Sequence, residues 1–334
     1  MKKLLSIFFI IIAAFAAGWW VNSFYQSGLA TTSPISTVIP KPLEKYTIEN
    51  LAQAEVKKGN IVLEEILEEN EDFNSYLFSF EFDPTLQEKG IKKVTGQLNL
   101  PTDKGSFPVV IMLRGYVDQE IYETGIGTRK AASVLAKNGF ITIAPDFLGY
   151  GESDKEAKNI FETRFQTYTT VLSILKSLHS IKEWDRENIF LWGHSNGGQI
   201  ALTILEITGK DYPTTLWAPV TKPFPYSILY YTDEAEDKGK FIRRELSKFE
   251  NLYNADSFSL DECFEKIKAP LQIHQGTADE AVPIVWSNEF VKKLERLDIN
   301  ITYYKYAGAN HNMVPSWNTV VSRDLSFFKK YITD

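Results

Sequence analysis

Cysteine is almost missing from this chain: Cys263 is the only one among 334 residues. No intrachain disulfide can form, so an exported domain must rest on its own core, which a domain of about 270 residues can do. Cys263 itself reads as a small buried apolar group. Histidine is scarce too, with four in all. No His-x-x-x-His and no Cys pair at ligand spacing occurs, which excludes the common metal sites. No Gly-rich loop ends in Lys-Ser/Thr, so nothing cradles a nucleotide phosphate. The formal net charge is −7 and there is no basic block or Arg-rich stripe, so nucleic acid is excluded as a partner. No internal repeat is visible, and no cofactor is expected.

Charge is also missing, locally, from Leu4 to Val21, directly after Lys2 and Lys3. As a helix this run rises about 27 Å, close to the hydrocarbon thickness of a bilayer. The two lysines would stay cytoplasmic, with Trp19 and Trp20 at the far interface. Residues 1–21 are thus expected to be a membrane anchor, the alternative being a signal peptide cleaved near Ala14-Phe15-Ala16. Either reading exports the remainder, as a single-pass protein with an extracytoplasmic domain or as a secreted one. Residues 22–50, with Pro34, Pro40 and Pro42 among many Ser and Thr, read as an extended tether.

From residue 51 to 334 the pattern is that of one α/β domain. Ile61–Glu68 and Phe73–Phe82 are β-rich runs around an Asn70-Glu71-Asp72 hairpin turn, and Lys93–Leu100 is a third strand. Val109–Leu113 is a continuous apolar run of the kind found in buried parallel strands. Helices are expected at Thr128–Lys137, Phe161–Ser180, Gln199–Ile207, Pro283–Leu297 and Pro315–Tyr331. Strands are expected at Phe140–Ala144, Ile189–Trp192, Thr214–Trp217, Leu271–His274 and Ile301–Tyr306. This alternation implies a mainly parallel sheet flanked by helices on both faces, with ligands gathering at the carboxyl ends of its strands. Residues 221–268 interrupt it and read as a small helical cap. Its aromatic group, Phe224, Tyr226, Tyr230 and Tyr231, either lines a substrate pocket or forms the cap's own core.

Chemistry points to one stretch, Gly193-His194-Ser195-Asn196-Gly197-Gly198, with an apolar strand before it and a helical pattern after it. A sharp strand-to-helix turn lifts a serine hydroxyl above the sheet, and glycines on either side let strand and helix approach. The helix N-terminus offers free N–H groups to a forming anion. A serine needs a base to become a nucleophile. His311, in the Ala307–Asn312 loop after the last strand, can reach it, whereas His179, His194 and His274 are placed in a helix, beside the serine and inside a strand. A third group must fix the imidazole tautomer. Asp279 follows Leu271–His274 in another strand-end loop, with Glu280 as the backup, while Asp146 shapes its own loop. Two N–H donors must face the oxyanion. Asn196 supplies one, and Tyr116, in the Arg114-Gly115-Tyr116 loop, is chosen for the other, its phenol able to assist.

These features resemble the α/β-hydrolase superfamily, and within it the catalytic domain of the prolyl-oligopeptidase family of serine peptidases. The resemblance runs from about Ile61 to Tyr331. It rests on Gly193–Gly198, on Ala144-Pro-Asp-x-x-Gly-x-Gly-x-Ser153, on Gly276-x-x-Asp279-x-x-Val-Pro283 and on the His311 loop. It implies a Ser195–Asp279–His311 triad, in the chain order this fold uses, and an acyl-enzyme intermediate. Arg114-Gly115 departs from the His-Gly of many relatives, and a membrane segment and tether are expected where full-length members carry a β-propeller. The expected activity is a serine hydrolase cleaving short peptides or acyl-amino compounds. A carboxylesterase with the same triad is the alternative, and a silent hydrolase fold used for binding is a third reading.

Overall fold

The computed structural model describes residues 39–88, 90–232, 235–260 and 263–333. The apolar run 4–21 and the tether as far as residue 38 lie outside the described residues. Among those described, no helix is long and apolar enough to cross a membrane.

The sheet begins with β1 (Val62–Glu69), β2 (Phe73–Phe82) and β3 (Lys92–Pro101), a meander of antiparallel pairs. Asn70 closes its first turn, its Oδ1 accepting the N–H groups of Asp72 and Phe73. β4 (Phe107–Leu113) and β5 (Ile141–Pro145) flank the first crossover helix, Arg129–Ala136. β6 (Trp184–His194), β7 (Thr214–Trp217), β8 (Leu271–Gly276) and β9 (Ile301–Tyr306) complete a sheet ordered β1-β2-β3-β5-β4-β6-β7-β8-β9. Pairing is parallel from β5 through β9 and antiparallel before that.

The helices are α1 (Ile48–Gln53), α2 (Arg129–Ala136), α3 (Ile160–Ser177), α4 (Asn196–Thr208), α5 (Tyr226–Leu229), α6 (Lys240–Glu250), α7 (Ile284–Glu295) and α8 (Trp317–Lys330). Period-two alternation along β4 decides what covers each face. Val109, Ile111 and Leu113 pack with residues of α1, α3, α4 and α7, while Val110 and Met112 pack with those of α2 and α8. The sheet is therefore sandwiched by helices, as the uninterrupted apolar strands require.

Register positions the site. Leu113 pairs with Gly193, His194 with Trp217, Trp217 with His274, and Gly276 with Tyr306. The parallel strands β4, β6, β7, β8 and β9 thus end together, and the loops that follow them share one edge.

Two expectations need correction. The tether does not extend to residue 50: the compact unit starts at Pro42, with Leu43, Tyr46 and Ile48 buried in the core. Tyr46 Oη donates to Glu162, and Thr47 caps α1 by accepting the Asn50 N–H. These apolar groups are too few to form a helical stripe, so composition hid them behind the prolines. Cys263 is half-buried rather than enclosed. In the cap region the aromatics divide. Phe224 is buried against Phe161, Phe165 and Phe249, whereas Tyr226, Tyr230 and Tyr231 ring Trp286 of α7.

Candidate active site

Ser195 stands between β6 and α4 with φ 56° and ψ −120°, a conformation costly for a residue with a side chain. Two backbone hydrogen bonds hold it there: its N–H donates to the Trp217 carbonyl and its own carbonyl accepts from Val220. The neighbouring glycines are dictated by space. A Cβ on Gly197 would overlap the carbonyl oxygen of Leu113, and one on Gly193 would press on Gly197. Among the described residues, Ser195 Oγ makes no hydrogen bond.

His311 and Asp279 meet as a pair. His311 Nδ1 lies 3.0 Å from both carboxylate oxygens of Asp279. The Asp279 side chain is 0% exposed and that of His311 14%. Asp279 Oδ1 also accepts from the N–H groups of Ala281 and Val282, and Oδ2 accepts from Gln275 Nε2. Burial alone would raise its pKa. The bonds from His311, Val282 and Ala281, with the imidazole's charge, outweigh it and hold the carboxyl below its ordinary range. An ionised carboxylate can only accept, so His311 carries its proton on Nδ1 and leaves Nε2 free to act as a base. Close approach of the two loops explains Gly276, where a Cβ would overlap the Ala309 carbonyl. Glu280, the backup acid, is exposed.

The pair is seated against the elbow through His194. The rings of His194 and His311 lie 4.6 Å apart, and His194 Nε2–H donates to the His311 carbonyl at 3.1 Å. Burial first, and then the His311 ring, push the His194 pKa down to about 4. His194 is therefore a neutral wall. The sequence reading passed over it as the neighbour of the serine, and that position was its only signal.

On the opposite side of Ser195 lies the loop after β4. A Cβ on Gly115 would come within 3.0 Å of Ser195 Cβ and 3.6 Å of Oγ, so the backbone at Gly115-Tyr116 abuts the serine. Neither Asn196 N–H nor Tyr116 N–H donates to any described residue. The Tyr116 phenol turns away: it is 75% exposed and donates to Asp118, which raises its pKa to about 12. The loop owes its shape to Arg114, only 6% exposed. Its guanidinium donates to the carbonyls of Gly115 and Asp146 and stacks on Tyr150 and Tyr122. Asp146 is fully buried and accepts from Tyr122, Thr95 and Thr124. Desolvation still leaves its carboxyl above the ordinary range. It holds its loop, as the sequence reading had it.

The other histidines lie apart from this edge. His179 is on the surface. His274 is buried, bonded to Asp324 of α8 and to Tyr306, and Asp324 also accepts from Thr215 and Trp217.

An elbow serine, a buried imidazole–carboxylate pair and open N–H donors at one sheet edge are the parts that acyl transfer through serine needs. Residues 127–334, more than half of the chain, match the prolyl oligopeptidase family. The chain belongs to that family. As a prolyl oligopeptidase family member with this α/β-hydrolase fold, it is a serine hydrolase. No curated protein matches its sequence. Among solved structures, the family member is similar in fold to acetyl xylan esterase 1 from Thermoanaerobacterium sp. JW/SL YS485. The two are 14% identical with TM-score 0.62, over 88% of this chain and 95% of that one. It is also similar to acetyl xylan esterase from Paenibacillus sp. R4, at 19% identity and TM-score 0.64, over 85% and 92%. A puromycin-hydrolyzing peptidase from Mycobacterium tuberculosis is 15% identical with TM-score 0.53, over 76% of this chain and 37% of that one.

Proposed function

We propose that Ser195, His311 and Asp279 form a catalytic triad that hydrolyses short peptides or acyl-amino compounds through an acyl-enzyme. The observation that carries this is the Asp279–His311 pair, held against the Ser195 elbow by His194. In the first step Ser195 Oγ attacks the substrate carbonyl carbon as its proton passes to His311 Nε2. The carbonyl oxygen becomes an oxyanion that accepts from Asn196 N–H and Tyr116 N–H. The C–N bond then breaks, and the leaving amine takes the proton from His311. Water repeats the sequence: it gives a proton to His311, attacks the acyl carbon, and restores the Ser195 hydroxyl while releasing the acid.

A second reading, a carboxylesterase on small acyl esters, differs only in the bond broken. The near-complete coverage of two acetyl xylan esterases favours it, whereas the family match favours the peptide bond. Turnover of aminoacyl-arylamides against aryl esters separates the two. Esters react more easily, so only robust arylamide cleavage supports the peptidase. A folded domain that resists fluorophosphonate labelling at Ser195 would refute both. An extracytoplasmic position, tethered by residues 4–21, is part of the proposal. Recovery of the full chain in the soluble cytoplasmic fraction would reject it.

A further inference from the structure

Beside Asn196 a cavity of about 270 Å³ opens, lined by Tyr116, Asn196, Arg114, Arg164, Thr163 and Thr167 among others. Two arginines line it and no carboxylate does, in a protein whose net charge is −7. Arg114 lies against aromatic faces and close enough to the Asp146 carboxyl to act on its charge. Arg164 has no such carboxyl beside it. It reaches from α3 to the first turn of α4, where Nη1 donates to Asn196 Oδ1 at 3.4 Å and Nη2 to Gln199 Oε1. Both acceptors are neutral amides. Its Nε–H is buried with no partner, as is that of Arg114. Glu162, nearest to it along α3, is engaged with Tyr46 and Lys45. Among the described residues no carboxylate lies within ion-pair distance of Arg164.

The position compounds the imbalance. The N-terminus of α4 is the positive end of a helix dipole, where a cation is disfavoured. A guanidinium held there without a counterion leaves a positive potential next to Ser195. Arginine suits a carboxylate because its planar fork matches two oxygens at once.

We propose that this cavity binds a carboxylate on the acyl portion of the substrate, with Arg164 selecting it. The proposal rests on the Ser195 hydrolase reading and gives that site a substrate class: acyl groups that end in an acid. At this volume the cavity suits one short chain or a single acidic side chain. The remote carboxylate takes no part in bond breaking. Ser195 is acylated, the leaving group departs with its proton, and water releases a dicarboxylic product.

The test compares the 4-nitrophenyl monoester of glutaric acid with 4-nitrophenyl valerate, corrected for buffer hydrolysis. The wild-type protein should favour the glutarate ester by at least about tenfold in kcat/KM. In Arg164→Gln that ratio should collapse toward one, and Arg164→Lys should restore part of it. A wild-type preference for valerate overturns the proposal while leaving the hydrolase reading intact. Failure to turn over either ester, with no fluorophosphonate labelling, defeats the hydrolase reading instead. If Arg164→Gln lowers both rates in proportion, Arg164 merely props Asn196 and Gln199, and the proposal falls. Should that variant not fold, inhibition of wild-type valerate turnover decides the matter. Free glutarate should compete and glutaramide should not; equal effects overturn the assignment.

Discussion

Replacing Asp279 by Asn tests the proposed triad at its least exposed member. The carboxylate touches His311 Nδ1 at 3.0 Å, which places the charge centres of an Asp279–imidazolium pair about 4 Å apart. At an effective dielectric near 20 their attraction is about 4 kcal/mol. It is gained only when His311 becomes charged in the transition state, so its loss appears in the rate as about three decades. Orientation suffers as well. Asp279 accepts from Ala281, Val282 and Gln275 in addition to His311, and an amide nitrogen in place of either oxygen would confront a donor. We therefore expect Asp279→Asn to lower kcat/KM on an activated aryl ester by about 10³-fold or more. Fluorophosphonate labelling should slow in parallel and the thermal melt should remain cooperative. A variant that keeps its activity within about tenfold of wild type would show that Asp279 does not steer His311, and would return attention to Glu280.

Other outcomes follow from the same geometry. His194 has a pKa lowered from 6.5 to about 4 in the folded protein. Between those values the unfolded chain binds the extra proton, so its contribution is present above about pH 6.5 and is lost as pH falls toward 4. Chemical denaturation should show up to about 3 kcal/mol of loss across that window from this residue, and His194→Gln should flatten the slope. Gly197→Ala, with its Cβ driven into the Leu113 carbonyl, should destabilise by at least about 3 kcal/mol and abolish labelling; an active, stable variant would contradict the elbow packing. Tyr122→Phe strips a buried donor from Asp146 and should cost about 1–3 kcal/mol by urea titration.

Much of the fold was readable because long apolar strands and amphipathic helices alternate, and β7 and β9 begin and end where their patterns do. The strand-end positions of Ser195 and Asp279 were readable for the same reason, since each follows a buried run, and His311 follows the β-rich pattern of β9. What escaped was set by contacts distant in sequence. Tyr46 and Ile48 look like linker residues until Glu162 and the sheet core are present. Arg164 is an ordinary charge on α3, and nothing near it in sequence announces α4 beside it. His194 gains its meaning only from the ring of residue 311, brought over by β9.

The buried link from Asp324 to His274 has a consequence for biosynthesis. His311 precedes α8, and Asp324 of α8 fastens that helix to β7 and β8 through Thr215, Trp217 and His274. Because chains emerge N-terminus first, Ser195 leaves the ribosome long before its partner loop has an anchor. In a nascent chain that still lacks α8 the His311 loop would have no such fastening, so on the proposed triad the serine would wait for that helix before acting.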